Sequence, residues 1–275
     1  MSTLDAYAVI GHPISHSKSP LIHTAFARQT GQAMYYEAIL APINEFREIV
    51  TAFQQQDGKG MNVTVPFKLE AYEFATCLTE RAELAQAVNT LQFVKNEIVG
   101  DNTDGAGSVR DIEMNLGISL NSKRILLMGA GGAARGVILP LLKQNPAVLA
   151  IANRTPQKAQ LLQQQFAQQG ALVSGHYMDF SGENFDIIIN ATSASLHDKL
   201  PELPLNIFAN DSLAYDMMYA HEPTRFLAFA EQNGASYLAD GIGMLVEQAA
   251  ESFFLWRGIR PQTEHVIAQL KTHAQ

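Results

Sequence analysis

A glycine-rich turn between a strand and a helix constrains this sequence more than any other feature. In "KRILLMGAGGAARGVILPLL", which begins at Lys123, an apolar run ends at Met128 and a helical pattern follows the turn. Gly129, Gly131 and Ala134 fit the spacing G-x-G-x-x-G/A in the strand–turn–helix context that this motif requires. Such glycines let the backbone approach a pyrophosphate, whose charge lies at the helix N-terminus. A turn without a ligand is the alternative, and the context favours dinucleotide binding.

Short apolar runs alternate with helical patterns along the chain, which is typical of βαβ units and a largely parallel sheet. Runs without polar alternation predict strands that are buried on both faces. A second series of strands begins at Lys123, and "GIGMLVEQAAESFFLWRG" predicts a helix ending at Arg257. The strands of the first half are predicted at Tyr7–Gly11, Tyr35–Leu40, Met61–Val65 and Thr90–Val94. The fold class is therefore α/β.

Length and composition limit the class of protein. The chain has 275 residues, which suggests two domains. Its net charge of −8 provides no basic field for nucleic acid or an anionic membrane. Cys77 is the only cysteine, which excludes an intrachain disulfide and favours a reducing compartment. With no signal-like start and no run long enough to span a membrane, we predict a cytoplasmic protein, and no metal site is expected.

The segment "ANRTPQKA" indicates which dinucleotide is bound. An NAD site would carry Asp or Glu at this strand tip, to bind the ribose 2′-hydroxyl. Here Asn153 replaces the acid, while Arg154 and Lys158 bring positive charge. Thr155 and Pro156 are predicted as the cap and first residue of a helix. Cations and helix-start amides attract a 2′-phosphate, so the segment favours NADP.

The segment "INATSAS" ends another strand of the same series. Thr192 and Ser193 therefore lie where a doubly wound sheet meets its ligand, at the carboxyl ends of the strands. Because Ser and Thr are also common in loop caps, a cofactor contact and a capping role remain equally open.

Two polar segments of the first half are candidates for chemistry. In "SHSKSPLIHTAF", Ser19 is predicted to cap a helix that has Pro20 in its first position. With Ser17, this helix start offers two hydroxyl groups to a small carboxylate. In "GDNTDGAG", Asp104 follows the apolar run Glu97–Gly100, although Asp-Gly is also an ordinary turn pair.

The segment "NVTVPFK" ends a predicted strand with a cation just beyond its tip. Val63 and Val65 are predicted to be buried, with Asn62 and Thr64 on the opposite face. The proline that follows cannot donate to a ladder and stops the strand. Lys68 would then extend past the strand tip.

A lysine with a neighbouring carboxylate is suited to ketone reduction. Hydride transfer to a ketone requires a proton donor for the oxygen that becomes negative, and such a pair can hold that oxygen and transfer the proton. Lys68 and Asp104 both follow predicted strand ends, so their spacing permits them to meet without requiring it.

Taken in chain order, nine segments of this sequence resemble the shikimate dehydrogenase family over nearly the whole chain. Any one segment is weak, but the ordered set is highly specific. The segments are "GHPISHSKSP", "NVTVPFK", "AVNTL", "GDNTDG", "GAGGAARG", "NRT", "INATS", "YDMMY" and "DGIGMLVEQAA".

The resemblance implies an N-terminal α/β substrate domain with a mainly parallel sheet and a Rossmann-type NADP-binding domain. We expect the first at residues 1–103 plus 240–275 and the second at residues 104–239. It also implies NADP(H)-dependent interconversion of 3-dehydroshikimate and shikimate. In that reaction Lys68 would stabilise the developing alkoxide, and Asp104 would orient both Lys68 and the substrate hydroxyl. A small-molecule substrate, no nucleic-acid or membrane partner, and a monomer or homodimer are expected.

Further site residues are implied by motif match. The implied substrate contacts are Ser17, Ser19, Asn62, Thr64, Asn89, Tyr215, Gly241 and Gln248. The implied cofactor contacts are Gly129, Ala130, Gly131, Gly132, Ala133, Asn153, Arg154, Thr155, Lys158, Thr192, Ser193 and Met217.

Three positions depart from the family pattern. His12 lies where the family usually has Asn, Ser195 where Gly is expected, and Arg225 occurs in "EPTRFL" where "TPFL" is usual. None of them is a proposed catalytic residue. Ser195 would affect a loop over the cofactor, and Arg225 the entry to a helix.

Other functions share parts of this pattern. A quinate/shikimate dehydrogenase that also uses NAD is the nearest, and Arg154 and Lys158 argue only against its NAD preference. A methylenetetrahydrofolate dehydrogenase or a short-chain reductase would carry Tyr-x-x-x-Lys, which no lysine of this sequence completes. A non-catalytic NADP-binding sensor would be expected to lose the lysine, the aspartate or the substrate hydroxyls, and all are present.

Overall fold

The computed structural model describes residues 4–192, 194 and 201–273. The chain divides into two compact units. The first unit comprises Met1–Gly107 and Val246–Val266, and the second comprises Ser108–Leu245 and Ile267–Gln275. The domain limits expected from the sequence remain a prediction. No helix in the described part of the chain has the length and apolar character needed to cross a membrane.

The first unit is built on a six-stranded sheet of order β2-β1-β3-β5-β6-β4. The strands are β1 (Asp5–Gly11), β2 (Met34–Leu40), β3 (Gly58–Val63), β4 (Cys77–Leu78), β5 (Thr90–Val94) and β6 (Glu97–Asp101). β1 pairs in parallel with β2 and β3, and β4 in parallel with β6. β5 runs antiparallel to both β3 and β6. β3 and β6 therefore point the same way, with one reversed strand between them.

Helices surround this sheet and bury its apolar side chains. They are α1 (Ser19–Thr30), α2 (Phe46–Gln55), α3 (Lys68–Phe74), α4 (Glu80–Ala85) and α5 (Asp104–Arg110). The core contains Ile10, Phe46, Met61, Phe67 and Leu91. Local sequence signals set several ends, because α1 stops at a left-handed Gly31 and α4 starts at Thr79, whose hydroxyl accepts from Ala82 N.

The second unit holds a six-stranded, entirely parallel sheet of order β12-β11-β10-β7-β8-β9. Its strands are β7 (Arg124–Met128), β8 (Val148–Ala152), β9 (Leu172–Gly175), β10 (Phe185–Asn190), β11 (Phe208–Asp216) and β12 (Tyr237–Ala239). The fourth strand returns beside the first, which is the doubly wound arrangement. The Rossmann-type prediction is thus confirmed.

Helices of the second unit follow its strands. They are α6 (Gly132–Leu142), α7 (Pro156–Gln165) and α8 (Arg225–Gln232), and the last two helices of the chain, α9 (Ile242–Arg257) and α10 (Glu264–His273), belong in part to each unit. A π-helical turn covers Asp111–Asn115 and a 3₁₀ turn covers Tyr177–Phe180. Thr224 caps α8 through Leu227 N, so the entry at Arg225 is an ordinary capped helix start.

Two local predictions were wrong. β3 ends at Val63, and Val65 is 68% exposed: its carbonyl oxygen still accepts from His12 N just beyond β1, but the chain is already turning to place Phe67 in the core. Asn62, expected on the face opposite Val63, is also buried, at 6% exposure, so both faces of β3 are covered at this point. Likewise, Ser19 is the first residue of α1 rather than its cap, and Lys18 occupies the cap position.

Candidate active site

Three strand ends of the first unit meet at one edge of its sheet. β3 and β6 finish there and β5 starts there, because β5 runs in the opposite direction. Asn89, immediately before β5, lies between the two finishing strands: its carbonyl oxygen accepts from Val63 N and its N–H donates to Asp101 O. The residues that follow β3 and β6 are therefore brought near residue 89.

Lys68 and Asp104 form an ion pair at this edge. Lys68 begins α3 and Asp104 begins α5. Lys68 Nζ lies 2.6 Å from Asp104 Oδ2, with the two side chains 31% and 13% exposed. The lysine is thus fixed in direction by a largely buried carboxylate, while its own side chain remains about a third exposed.

Asn89 holds the second oxygen of this carboxylate. Its Nδ2 donates to Asp104 Oδ1 at 2.8 Å, and its Oδ1 accepts from Thr103 N at 2.9 Å. A carboxylate can only accept and a backbone N–H can only donate, so both ends of the amide are assigned by their partners. Asp104 is therefore held at both oxygens.

Gln248 of α9 reaches the same group. Its Oε1 lies 3.4 Å from both Asn89 Nδ2 and Thr103 Oγ1. This approach depends on Gly107, because a Cβ atom there would lie 2.7 Å from the backbone nitrogen of Gln248. Gly107, the second glycine of "NTDGAG", therefore lets α5 and α9 pack at close range.

Asn62 connects the pair to the N-terminal serines. Its Oδ1 accepts from the Tyr36 hydroxyl at 2.7 Å. Burial raises the pKa of Tyr36 well above its ordinary value, and a hydrogen bond with Ser19 opposes this shift. Ser17 Oγ accepts from Ser19 N at 3.3 Å, and Thr64 is half-buried at the end of β3. Asn62, Thr64 and Asn89 thus lie at or beside strand ends, Ser19 and Gln248 lie in helices, and Ser17 lies just before α1.

Two predicted substrate residues lie in the second unit. Tyr215, in β11, is fully buried and donates its hydroxyl hydrogen to Asp111 Oδ2 at 2.7 Å. Burial raises its pKa well above the ordinary value. Gly241 packs on the backbone of Met217, since an added Cβ atom would lie 2.2 Å from Met217 O. Met217 N in turn donates to Asn190 O at the end of β10.

The glycine-rich turn has the shape that a pyrophosphate requires. Gly129 follows β7 with φ +107°, and Gly131 caps the eleven-residue helix α6. Around Gly131 and Gly132 an added Cβ atom would meet nothing within 4 Å, and both are exposed with Ala133. Together with Ala130, these residues offer open backbone at a helix N-terminus, which fits a dinucleotide.

The predicted 2′-phosphate residues lie at the tip of β8, one strand from this turn. Asn153 N donates to Gly175 O and its side chain donates to Thr155 O at 2.8 Å. Thr155 and Pro156 are the cap and first residue of α7, as predicted, and Lys158 is on its first turn. Burial raises the pKa of Tyr177 to about 12, while nearby Arg154 opposes the shift.

The third cofactor segment follows β10. Thr192 packs beside the glycine turn, because a Cβ atom on Gly129 would lie 3.1 Å from Thr192 Cγ2. Thr192 Oγ1 donates to Asn190 Oδ1 at 2.7 Å. Ser193, a predicted cofactor contact, and Ser195, a departure from the family pattern, lie outside the described residues.

Several residues that contact the Asn62 and Asn89 side chains were not predicted from the sequence: Thr90 Oγ1 donates to Asn89 Oδ1, Thr103 Oγ1 accepts from Asn89 Nδ2, and Ser252 Oγ accepts from Asn62 Nδ2. Thr90 and Thr103 lie within the family-like segments "AVNTL" and "GDNTDG", but the motif match implies no contact with substrate or cofactor for either of them. The contacts of Ser252 and Asp111 could not be predicted from the sequence, since a serine or aspartate within a helical pattern gives no indication of its partners. His12, which departs from the family pattern, has its Nδ1 2.9 Å from Ala41 O.

Within the described residues, no group of three or more His, Cys, Asp or Glu side chains could hold a metal ion.

Comparison with known proteins gives matching family models along the chain. Residues 9–91 match the shikimate dehydrogenase substrate binding domain and residues 111–198 match the shikimate/quinate 5-dehydrogenase model. Residues 241–271 match the shikimate 5′-dehydrogenase C-terminal domain.

Individual proteins are similar to this chain over almost its whole length. Shikimate dehydrogenase (NADP(+)) of Nitrosospira multiformis is 66% identical over 268 residues, which cover 98% of each chain. An Ael1 enzyme from Pseudomonas putida superposes with a TM-score of 0.92 at 49% identity, over 97% of this chain and 98% of that one.

A third relative is a solved complex. Shikimate 5-dehydrogenase of Thermus thermophilus, solved with NADP(H) and shikimate, superposes with a TM-score of 0.86 at 30% identity, over 99% of this chain and 100% of that one. The chain described here therefore belongs to the shikimate dehydrogenase family of NADP-dependent oxidoreductases.

Proposed function

We propose that this chain catalyses the reversible NADPH-dependent reduction of 3-dehydroshikimate to shikimate, with Lys68 and Asp104 as the catalytic pair. The observation that supports this assignment is the 2.6 Å ion pair between Lys68 Nζ and Asp104 Oδ2, whose second oxygen accepts from Asn89. In the reduction, the carbonyl carbon gains a hydride and the carbonyl oxygen gains a proton, while NADPH is oxidised to NADP⁺.

Lys68 is the donor that the oxygen needs. Its ammonium group donates a hydrogen bond to the carbonyl oxygen, stabilises the negative charge that develops there and transfers a proton to it. Asp104 keeps the ammonium group in one direction and accepts from a substrate hydroxyl. Because the Lys68 side chain is 31% exposed, the solvent can restore its proton after each turnover.

A substrate with one carboxylate and several hydroxyls fits the remaining side chains. The hydroxyls of Ser17 and Ser19 at the start of α1 bind the carboxylate in this proposal. The ring hydroxyls are held by short polar groups, so that matched hydrogen bonds provide discrimination. The groups assigned to the ring are Asn62, Thr64, Asn89, Tyr215, Gly241 and Gln248.

The second unit holds the cofactor, which supplies the hydride when bound. Open backbone at Gly131 and Gly132 supports the pyrophosphate assignment, to which Gly129, Ala130 and Ala133 also belong. The adenosine 2′-phosphate is assigned to Asn153, Arg154, Thr155 and Lys158. The ribose and nicotinamide are assigned to Thr192, Ser193 and Met217.

The organisation of the protein is proposed from the same reasoning. Residues 1–103 and 240–275 form the substrate domain and residues 104–239 form the NADP domain. The single cysteine, Cys77, supports a reducing compartment and hence a cytoplasmic location. We propose a monomer or homodimer.

The experiment is a spectrophotometric assay of reduced nicotinamide with shikimate or quinate, each combined with NADP or NAD. We expect the highest kcat/KM for shikimate with NADP. Comparable turnover of quinate, or of NAD, would instead assign the broader quinate/shikimate activity. A correctly folded protein that turns over none of the four pairs would contradict the proposal and favour an NADP-binding sensor.

A further inference from the structure

Three buried hydroxyl groups adjoin the Lys68–Asp104 pair and are not explained by substrate contacts. They belong to Thr90 at the start of β5, Thr103 before α5 and Ser252 on α9, and each is at most 1% exposed. Thr90 Oγ1 lies 2.9 Å from Ser252 Oγ, and Ser252 Oγ lies 3.3 Å from Thr103 Oγ1. We call these three groups the hydroxyl cluster.

The hydroxyl cluster contacts the Asn89 side chain. Thr90 Oγ1 donates to Asn89 Oδ1 at 2.9 Å, the same oxygen that accepts from Thr103 N. Asn89 Nδ2 donates to Thr103 Oγ1 at 2.9 Å and to Asp104 Oδ1 at 2.8 Å. The amide that holds Asp104 is therefore itself held at both ends by the cluster and by the backbone beside it.

The hydroxyl cluster also contacts the Asn62 side chain. Asn62 Nδ2 donates to Asn89 O at 3.2 Å, and because a carbonyl can only accept, Asn62 Oδ1 must face the Tyr36 hydroxyl. The same nitrogen lies 2.9 Å from Ser252 Oγ and 3.1 Å from Thr90 Oγ1.

Hydrogen counting gives Ser252 a defined role. Asn62 Nδ2 can only donate, so Ser252 Oγ accepts from it, and the serine hydroxyl is placed to donate to Gln248 O at 3.0 Å. The serine thereby joins the backbone of α9, at the residue that reaches Asn89, to the strand that ends at the site. Without Ser252, the Asn62 amide would keep Asn89 O and Thr90 Oγ1 as acceptors but would lose the shortest of its three contacts, the one that ties it to α9.

We infer that Thr90 and Ser252 are positioning residues: their hydroxyls fix the Asn62 and Asn89 amides in one orientation, and through Asn89 they fix Asp104. The inference rests on the proposed role of Lys68 and Asp104. Because misplacing a reacting group by about 1 Å costs roughly a hundredfold in rate, partial loss of alignment reduces kcat without any change in the cofactor site.

The test compares Thr90→Val, which keeps the shape but removes the hydroxyl, with Thr90→Ser, which keeps the hydroxyl. For Thr90→Val we expect kcat for shikimate oxidation to fall by about tenfold or more, with an unchanged Kd for NADP measured without shikimate. Thr90→Ser should retain kcat within about twofold. Ser252→Ala should act in the same direction, and the double variant should lose less than the product of the single losses, since both act on one network.

Thr263→Val is the matched control for stability. Thr263 is buried in the same unit and donates its hydroxyl to Glu247 Oε1 at 2.5 Å, outside the hydroxyl cluster. Its loss should lower the melting temperature and leave kcat unchanged. All rates are taken per folded molecule, with the folded fraction measured by circular dichroism.

Two results would overturn the inference while leaving the proposed function intact. One is a wild-type kcat in Thr90→Val. The other is an equal loss in Thr90→Ser, which would show that methyl packing matters rather than the hydroxyl. Absence of shikimate turnover by the wild-type protein would be a different failure, because it would contradict the proposed function and the inference together.

Discussion

Lys68 and Asp104 meet at 2.6 Å although the strands that precede them, β3 and β6, are not neighbours in the sheet. The reversed strand β5 separates them by two inter-strand spacings, about 10 Å. Asn89, immediately before β5, forms backbone hydrogen bonds with the end of each flanking strand, and its side chain donates a hydrogen bond to Asp104. The geometry of the pair is therefore set by the residue between them as much as by the pair itself.

Replacing the lysine tests its role as the proton donor. We expect Lys68→Met to lower kcat by roughly a hundredfold to ten-thousandfold, the usual contribution of general acid catalysis. Affinity for NADP should stay unchanged, because the assigned cofactor contacts lie in the other unit. Steady-state kinetics with shikimate and calorimetric titration with NADP measure the two effects.

Lys59→Met is the matched control, because Lys59 also forms a 2.6 Å ion pair, with the exposed Asp57. It removes a cation and an ion pair from the same unit, and should leave kcat unaltered. Turnover retained in Lys68→Met would remove Lys68 from the mechanism.

Sequence patterns predicted the two residues of the pair but not their contact. Lys68 and Asp104 each follow an apolar run, and such runs do predict strands. Strand direction is invisible in that pattern, so the reversal of β5, which makes β3 and β6 end at one edge, could not be read from it. The error at Val65 has a related cause: alternation continues past the point where the chain leaves the sheet.

The cofactor turn was easier to predict because its chemistry is local. Gly129, Gly131 and the helix start lie within one short segment, and the positive φ of Gly129 explains its identity. Partners distant in sequence were not predictable, as Ser252 and Asn62 illustrate: nothing in either segment indicates a 2.9 Å contact across 190 positions.

A methyl group in the glycine turn separates folding from cofactor binding. Gly131 has φ −89°, which any residue adopts, and an added Cβ atom would meet nothing within 4 Å. Gly131→Ala should therefore leave the melting temperature of the free protein unchanged. It should weaken NADP binding at least tenfold, about 1.4 kcal/mol, because the methyl group occupies the space that the pyrophosphate needs.

Differential scanning calorimetry and NADP titration measure these two quantities. Gly129→Ala provides the contrast: at φ +107° it strains the backbone, so it should lower the melting temperature as well. NADP affinity unchanged in Gly131→Ala would contradict the assignment of the pyrophosphate to this turn.

Cofactor selectivity should depend on Arg154. A hydrogen bond to a charged group contributes about 1.5–3 kcal/mol, so Arg154→Ala should weaken NADP binding by roughly tenfold to a hundredfold. NAD lacks the 2′-phosphate, and its Kd should not change. Fluorescence titration with both cofactors gives the ratio, and Lys143→Ala, at an exposed cation on the same unit, is the control. An equal loss for both cofactors would place Arg154 elsewhere than at the 2′-phosphate.

Stability at acid pH should depend on His23. Its ring is fully buried and stacked on Tyr36 at 4.2 Å, and burial lowers its pKa from 6.5 to about 3. Between these values the unfolded chain binds a proton that the folded chain does not. The free energy of unfolding therefore falls as the pH drops from 6.5 towards 3, by up to about 1.4 kcal/mol per pH unit from this residue.

His23→Phe keeps an aromatic ring against Tyr36 and removes the titration, so the pH dependence of stability should become shallower by that amount. Trp256, the only tryptophan, lies 5.4 Å from the His23 ring and reports urea unfolding of the first unit by its fluorescence. Equal slopes in His23→Phe and wild type would show that His23 is protonated in the folded protein throughout this range, or that it titrates alike in both states.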